Sequence, residues 1–187
     1  LNINILFFIL VLIYGCSTTV QQPLIQDVQG THLLDSNQIW LAHEHILVDF
    51  IGADSIQPQR WNHDLIIKEV MPYFEDLKEF NVNYFVDATP NYLGRDVLLL
   101  EKIAHKTGIR IITNTGLYGA RNNKYIPEYV QEITAEELAE KWINEYQYGI
   151  DKTSIKPGFI KIGIDNSDSL HTIHQKLVKA AALTHFG

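Results

Sequence analysis

The chain has 187 residues, 46% hydrophobic and 20% charged, with a formal charge of −7, which is the make-up of an ordinary globular protein with material for one sizeable core. No lysine or arginine cluster supplies an electrostatic footprint for nucleic acid, and the net negative charge argues against any acidic partner. Cys16 is the only cysteine, which excludes a disulfide framework and a thiolate metal site, so a metal here needs nitrogen and oxygen ligands.

The first element is an apolar run, ILFFILVLIYGC, over residues 5–16. It is short for a bilayer span but has the length of a signal-peptide hydrophobic region. With a small residue before the cysteine, it resembles the lipobox of bacterial lipoproteins. That resemblance implies a signal peptide over residues 1–15, lipidation of Cys16 after cleavage, a polar tether over residues 16–30, and a periplasm-facing place in the cell envelope. A plain membrane-anchoring helix or uncleaved export signal is the alternative.

After the tether, strand-like apolar runs alternate with segments of helical period, the pattern of successive βα units around a parallel sheet. The first strand is expected over residues 39–45 and its helix over residues 64–80, with Asn81 closing that helix in the left-handed conformation. A second strand over residues 84–89 leads to a helix over residues 94–107 that Gly108 ends. IRIITNTG, starting at Ile109, supplies the third strand. The third helix opens at Thr134, with Glu137 three positions on to complete a capping box, and runs to about Tyr148. GFIKIGI, residues 158–164, is the fourth strand, and Leu170, Ile173, Leu177 and Ala181 mark one face of a fourth helix ending near Gly187.

Four βα units make half of a (β/α)8 barrel, which takes about 250 residues, so residues 31–187 read as the truncated N-terminal half of one. A doubly wound sheet of four strands and a homodimer of two half-barrels are the alternatives. No glycine-rich phosphate loop follows the first strand, so the nucleotide-binding form of the open sheet has no support.

Two features carry chemistry. Side chains alternate along a strand, so His43 and His45 in LAHEH project to one face while Glu44 faces the other. Two imidazoles so placed, at the C-terminal end of a barrel strand, can converge on one metal. Otherwise one histidine is buried and hydrogen-bonded while the other faces solvent. Lys161 is the single charge in its apolar strand, and a buried ammonium is costly unless it is paired, neutralised or used. Its amine could form a Schiff base, bind a phosphate, or take up carbon dioxide as a carbamate; a lysine snorkelling out at the strand end is the plainer possibility.

LAHEH on the first strand, VDATPNYLGRD from the second strand into its helix, TNTGLY after the third, and QYGI with GFIKIG into the fourth together resemble the phosphotriesterase family of the amidohydrolase superfamily, from about Val28 onward. The resemblance implies a (β/α)8 TIM barrel with a binuclear centre of two divalent ions, usually zinc, at the C-terminal ends of the strands. By it, His43 and His45 would bind the more buried ion and Lys161, carbamylated, would bridge both. A hydroxide between the metals would attack the phosphorus or carbonyl centre of a small phosphotriester, lactone or related ester. Two further histidines and a proton-shuttling aspartate belong to later strands of the family fold. His171, His174 and His185 fall in the fourth helix and are not assigned, the first two being surface or packing positions. Tyr118 falls where relatives carry an aromatic lining the leaving-group pocket, in the manner of the lactonase-like branch, and Trp61 could wall the same pocket. GARNNKYIPEY, from Gly119, is polar enough to touch a substrate.

Three functions follow in descending order. The first is a metal-dependent ester hydrolase. The second is a catalytically inactive envelope lipoprotein that binds a metal or ligand. The third is a Schiff-base enzyme using Lys161, which would leave His43 and His45 without a purpose.

Overall fold

A computed structural model describes residues 22–35 and 37–187; the expected signal run and Cys16 lie outside them. Among the described residues seven strands pair into three small sheets, accompanied by five α-helices. β1 (Leu24–Asp27) and β2 (Gly30–Leu33) form an antiparallel hairpin. β3 (Ile39–Glu44), β4 (Val82–Asp87) and β5 (Arg110–Ile112) form a parallel sheet, and β6 (Asn114–Thr115) pairs in parallel with β7 (Phe159–Ile160). The helices are α1 (His63–Glu79), α2 (Val97–Thr107), a single turn α3 (Tyr129–Glu132), α4 (Ala135–Tyr148) and α5 (Thr172–Phe186). None of the described helices is long and apolar enough to cross a membrane.

Local chemistry sets the helix ends. The Asn62 side chain accepts the amides of Asp64 and Leu65 to start α1, and Asn81, at φ 57°, leaves it in the left-handed region. Asp96 accepts the Leu99 amide at 3.0 Å to start α2, and Gly108 at φ 74° ends it. The capping box at α4 is complete, with Thr134 and Glu137 each bonded to the other's amide.

Three expectations need correction. The tether expected over residues 16–30 gives way by Leu24 to the β1–β2 hairpin. It is held because the Val28 amide donates to the Ile111 carbonyl at 2.9 Å and the fully buried Asp27 pairs with Arg110 at 3.1 Å. The fourth strand is shorter than residues 158–164: the ladder closes at Ile160 and resumes as a single bridge between Tyr118 and Gly163. In α5 the buried face is His174, Leu177 and Ala180, while Leu170 precedes the helix and is exposed.

Two separate apolar cores result. α1 and α2 cover β4 and β5 around Phe74, Phe85, Leu99, Ile103 and Ile111. A second cluster joins α4 and α5 around Leu138, Trp142, Leu177 and Ala180, with Leu117 from the loop and Ile160 and Ile162 packed against it. Each fully buried leucine or isoleucine in them contributes roughly 1.5–3 kcal/mol over an exposed one.

Gly94 and Arg95 explain the Gly-Arg-Asp sequence as scaffold. At Gly94, φ is 121° and a Cβ would lie 2.9 Å from the Leu47 carbonyl oxygen, so only glycine lets this turn close on the loop after β3. Arg95 is bidentate to Glu145 of α4, at 2.7 and 2.9 Å, and also donates to the Asn114 carbonyl at 2.8 Å. One short sequence thereby caps a helix, admits a loop and ties the two cores together.

Candidate metal centre

The C-terminal end of β3 carries His43 and His45, whose rings stand edge to face with centroids 5.4 Å apart. Both line a pocket of about 350 Å³ that also contains Lys161, just beyond β7. Three residues from opposite ends of the chain thus meet at one mouth, as parallel βα winding requires when every strand runs the same way. Gly116 makes the approach of Lys161 possible. Its φ is 114°, and a Cβ there would overlap the Lys161 carbonyl. The Lys161 amide donates to the Thr115 carbonyl at 2.7 Å, anchoring the backbone on which the amine is carried.

Behind the histidines lies a buried polar chain. His45 Nδ1 is 2.8 Å from the Thr89 hydroxyl. The Thr89 hydroxyl also bears on the carboxyl of Asp87, which in turn accepts the amides of Ile46 at 3.1 Å and Thr89 at 2.9 Å. Burial pushes the Asp87 carboxyl up to about 6, against the restraint of those hydrogen bonds. Where the Thr89 hydroxyl accepts from His45 Nδ1–H, His45 Nε2 is left as a lone pair for a cation. Burial also lowers the His45 pKa, and the neighbouring His43 and Lys161 charges lower it further. A neutral imidazole with a free nitrogen is what a divalent cation needs.

The remaining wall is aromatic and apolar, with Tyr118, Tyr125 and Phe50 beside Leu93 and Pro90. Tyr118 and Tyr125 stand 6.0 Å apart and Tyr125 and Phe50 6.3 Å apart, centroid to centroid. Trp61 is not in this wall. Its Nε1–H donates to Asp96 at 2.8 Å, alongside His63 at 2.6 Å, so it braces the start of α2. Phe50, Arg121 and Tyr125 also line the pocket without a local sequence signal of their own, although the last two fall in the polar segment after Tyr118.

The other histidines are elsewhere. His174 is fully buried, its Nε2–H shared between the Gly119 carbonyl and the Asn123 side chain at 3.1 Å each, whereas His171 is exposed. His185 lines a different groove of about 630 Å³ with Trp142 and Tyr146. Among the described residues no group of three or more His, Cys, Asp or Glu side chains converges, so the donors at hand are two imidazoles and one amine. Imidazole nitrogen suits zinc, and the amine becomes an oxygen donor only as a carbamate.

The Phosphotriesterase family model matches residues 25–186. The phosphotriesterase homology protein of Escherichia coli is 30% identical over 145 residues, covering 78% of this chain and 48% of that protein. The aryldialkylphosphatase of Saccharolobus solfataricus is also 30% identical over 145 residues, covering 78% and 45%. A solved double mutant of an organophosphorus hydrolase from Deinococcus radiodurans superposes with a TM-score of 0.75 at 25% identity, over 87% of this chain and 50% of its own. The chain spans about half the length of the curated relatives it matches.

Proposed function

The chain belongs to the phosphotriesterase family, and from that membership we propose that it serves a metal-dependent hydrolase of phosphotriester, lactone or related ester bonds, with His43, His45 and a carbamylated Lys161 as its ligands to two divalent cations. The observation that carries this is the meeting of those three side chains in one pocket. What bound cations supply is Lewis acidity toward the substrate oxygen and a nucleophile available at neutral pH. The protein's own part is positional. His43 and His45 present ring nitrogens from a fixed strand end. Thr89 holds the His45 tautomer, and Lys161 gains its anionic oxygens by adding carbon dioxide with loss of one proton. Tyr118, Tyr125 and Phe50 give the substrate an apolar wall that keeps bulk water from the reacting bond. We include in the proposal an envelope location with a lipid anchor at Cys16, supported by the apolar run ahead of that cysteine.

Metal titration of the purified chain, followed by assay on a neutral lactone and a phosphotriester, tests the proposal. Binding that depends on His43 and His45 with turnover supports it; turnover unaffected by His43→Ala and His45→Ala overturns it. A second reading, a non-catalytic protein binding one cation or ligand, is favoured by the small donor set among the described residues. One equivalent of metal without turnover selects it.

Thr89 gives a separate expectation. Thr89→Val keeps the shape of the side chain but removes the oxygen that orients His45, and metal affinity falls roughly 10–100-fold, whereas Thr89→Ser stays near wild type. Competition against a chromogenic chelator reads the change. Equal affinities in all three proteins would detach Thr89 from the metal.

A further inference from the structure

The loop after β6 aims a cation at the pocket by an unusual route. Arg121, Asn122 and Asn123 are consecutive residues in the left-handed region, at φ 64°, 56° and 59°. Asparagine tolerates that region, but arginine enters it at an energetic cost, and such strain persists only where surrounding contacts enforce it. Here they do. The carboxylate of Asp165 takes both amides, Arg121 at 2.6 Å and Asn122 at 2.9 Å, and His174 holds the same loop from beneath through Gly119 and Asn123. The two amides hold the Asp165 carboxyl below the usual carboxylate range.

Arg121 lines the pocket that holds His43, His45 and Lys161. Among the described residues its guanidinium has no hydrogen-bond or ion-pair partner, while Arg60, Arg95 and Arg110 are each paired with a carboxylate. Among the described residues no aspartate or glutamate lines the pocket, although the chain as a whole carries a net charge of −7. An unpaired arginine beside aromatic rings is a seat for an oxyanion, since guanidinium matches carboxylate, sulfonate or phosphate oxygens in a fork of donors.

We propose that Arg121 selects ester or lactone substrates bearing an anionic group remote from the bond that is cut, with Asp165 as the residue that positions it. This rests on the hydrolase function proposed above and adds to it the charge of the substrate. The neutral part of such a molecule would lie against Tyr118 and Tyr125, with its scissile bond toward His43, His45 and Lys161 and its anion at Arg121.

Binding of butane-1-sulfonate and butan-1-ol to the full chain, measured by calorimetry, separates charge from apolar contact. Wild type is expected to bind the sulfonate at least tenfold more tightly than the alcohol. Arg121→Met should lose about tenfold in sulfonate affinity with the alcohol unchanged, and Arg121→Lys should keep part of it. Asp165→Asn, which retains one acceptor oxygen, should weaken sulfonate binding less than Arg121→Met. Equal sulfonate affinity in wild type and Arg121→Met overturns the proposal, as does an affinity lost in Lys161→Ala but kept in Arg121→Met. Absence of δ-valerolactone turnover by wild type would count against the hydrolase alone, since the sulfonate titration needs no catalysis. Turnover retained without sulfonate preference would count against Arg121 alone.

Discussion

Lys161→Ala is expected to lower turnover by about a thousandfold or more, and short carboxylic acids supplied with metal should restore part of it. The magnitude follows from what a metal site would contribute, several kcal/mol of transition-state stabilisation, most of which would be lost without the anionic ligand that Lys161 is proposed to supply. Among the described residues no aspartate or glutamate lines the pocket, so no carboxylate side chain there can replace it. In the proposed carbamate the Lys161 ammonium would first lose one proton, and carbon dioxide would then add to the neutral amine with loss of a second, turning a cation into a carboxylate. Alanine leaves a space of matching length into which acetate or propionate can enter. Lys161→Arg is the sharper control, because it keeps the positive charge and cannot form the carbamate. Activity retained in Lys161→Ala, with no response to added acids, would end the carbamate role.

Glu145→Ala should destabilise the fold by about 3–5 kcal/mol, read as a shift in the midpoint of urea unfolding. The side chain of Arg95 is fully buried, with 0% exposure, and Glu145 supplies both oxygens of its fork as well as the acceptor for the Thr115 hydroxyl at 2.7 Å. Asp151 stands 4.0 Å away but is 60% exposed, too far and too well solvated to take over. Removal of Glu145 strands an arginine in the interior, which costs more than loss of the pair itself. The double replacement Arg95→Met with Glu145→Leu should therefore recover most of the deficit. A loss below about 1 kcal/mol in Glu145→Ala would show that water reaches the guanidinium and that the pair is not a structural tie.

Much of this was legible because it is local. A capping box, an asparagine or glycine leaving a helix, and a strand placing alternate residues on one face each depend on a few adjacent positions. Asn81, Gly108, Thr134 and the shared side of His43 and His45 could therefore be read directly. The strand-four lysine stood out because a charge in an apolar run demands a partner. What was not legible depends on distant partners. Trp61 looked like pocket wall, and only the position of Asp96 turns it into a brace. The β1–β2 hairpin has strands of 4 residues each and leans on Arg110 and Ile111, so it passed for a tether. On α5 the apolar stripe suggested Leu170 and Ala181, but the hydrogen bonds of His174 to the loop at Gly119 and Asn123 set which face turns inward.

The two separate cores bear on how the molecule opens. His43 and His45 belong to the side built on β3, β4 and β5, whereas Lys161, Tyr118 and Arg121 belong to the side packed on α4 and α5. Sub-global unfolding proceeds in cooperative units of this kind, so amide hydrogen exchange should resolve two protection classes divided at the seam that Arg95 and Glu145 cross. Any fluctuation that parts the units separates the ligands as well. A cation held from both sides would close that fluctuation by mass action, making the site a latch whose occupancy is read in the exchange rates of amides that never touch it.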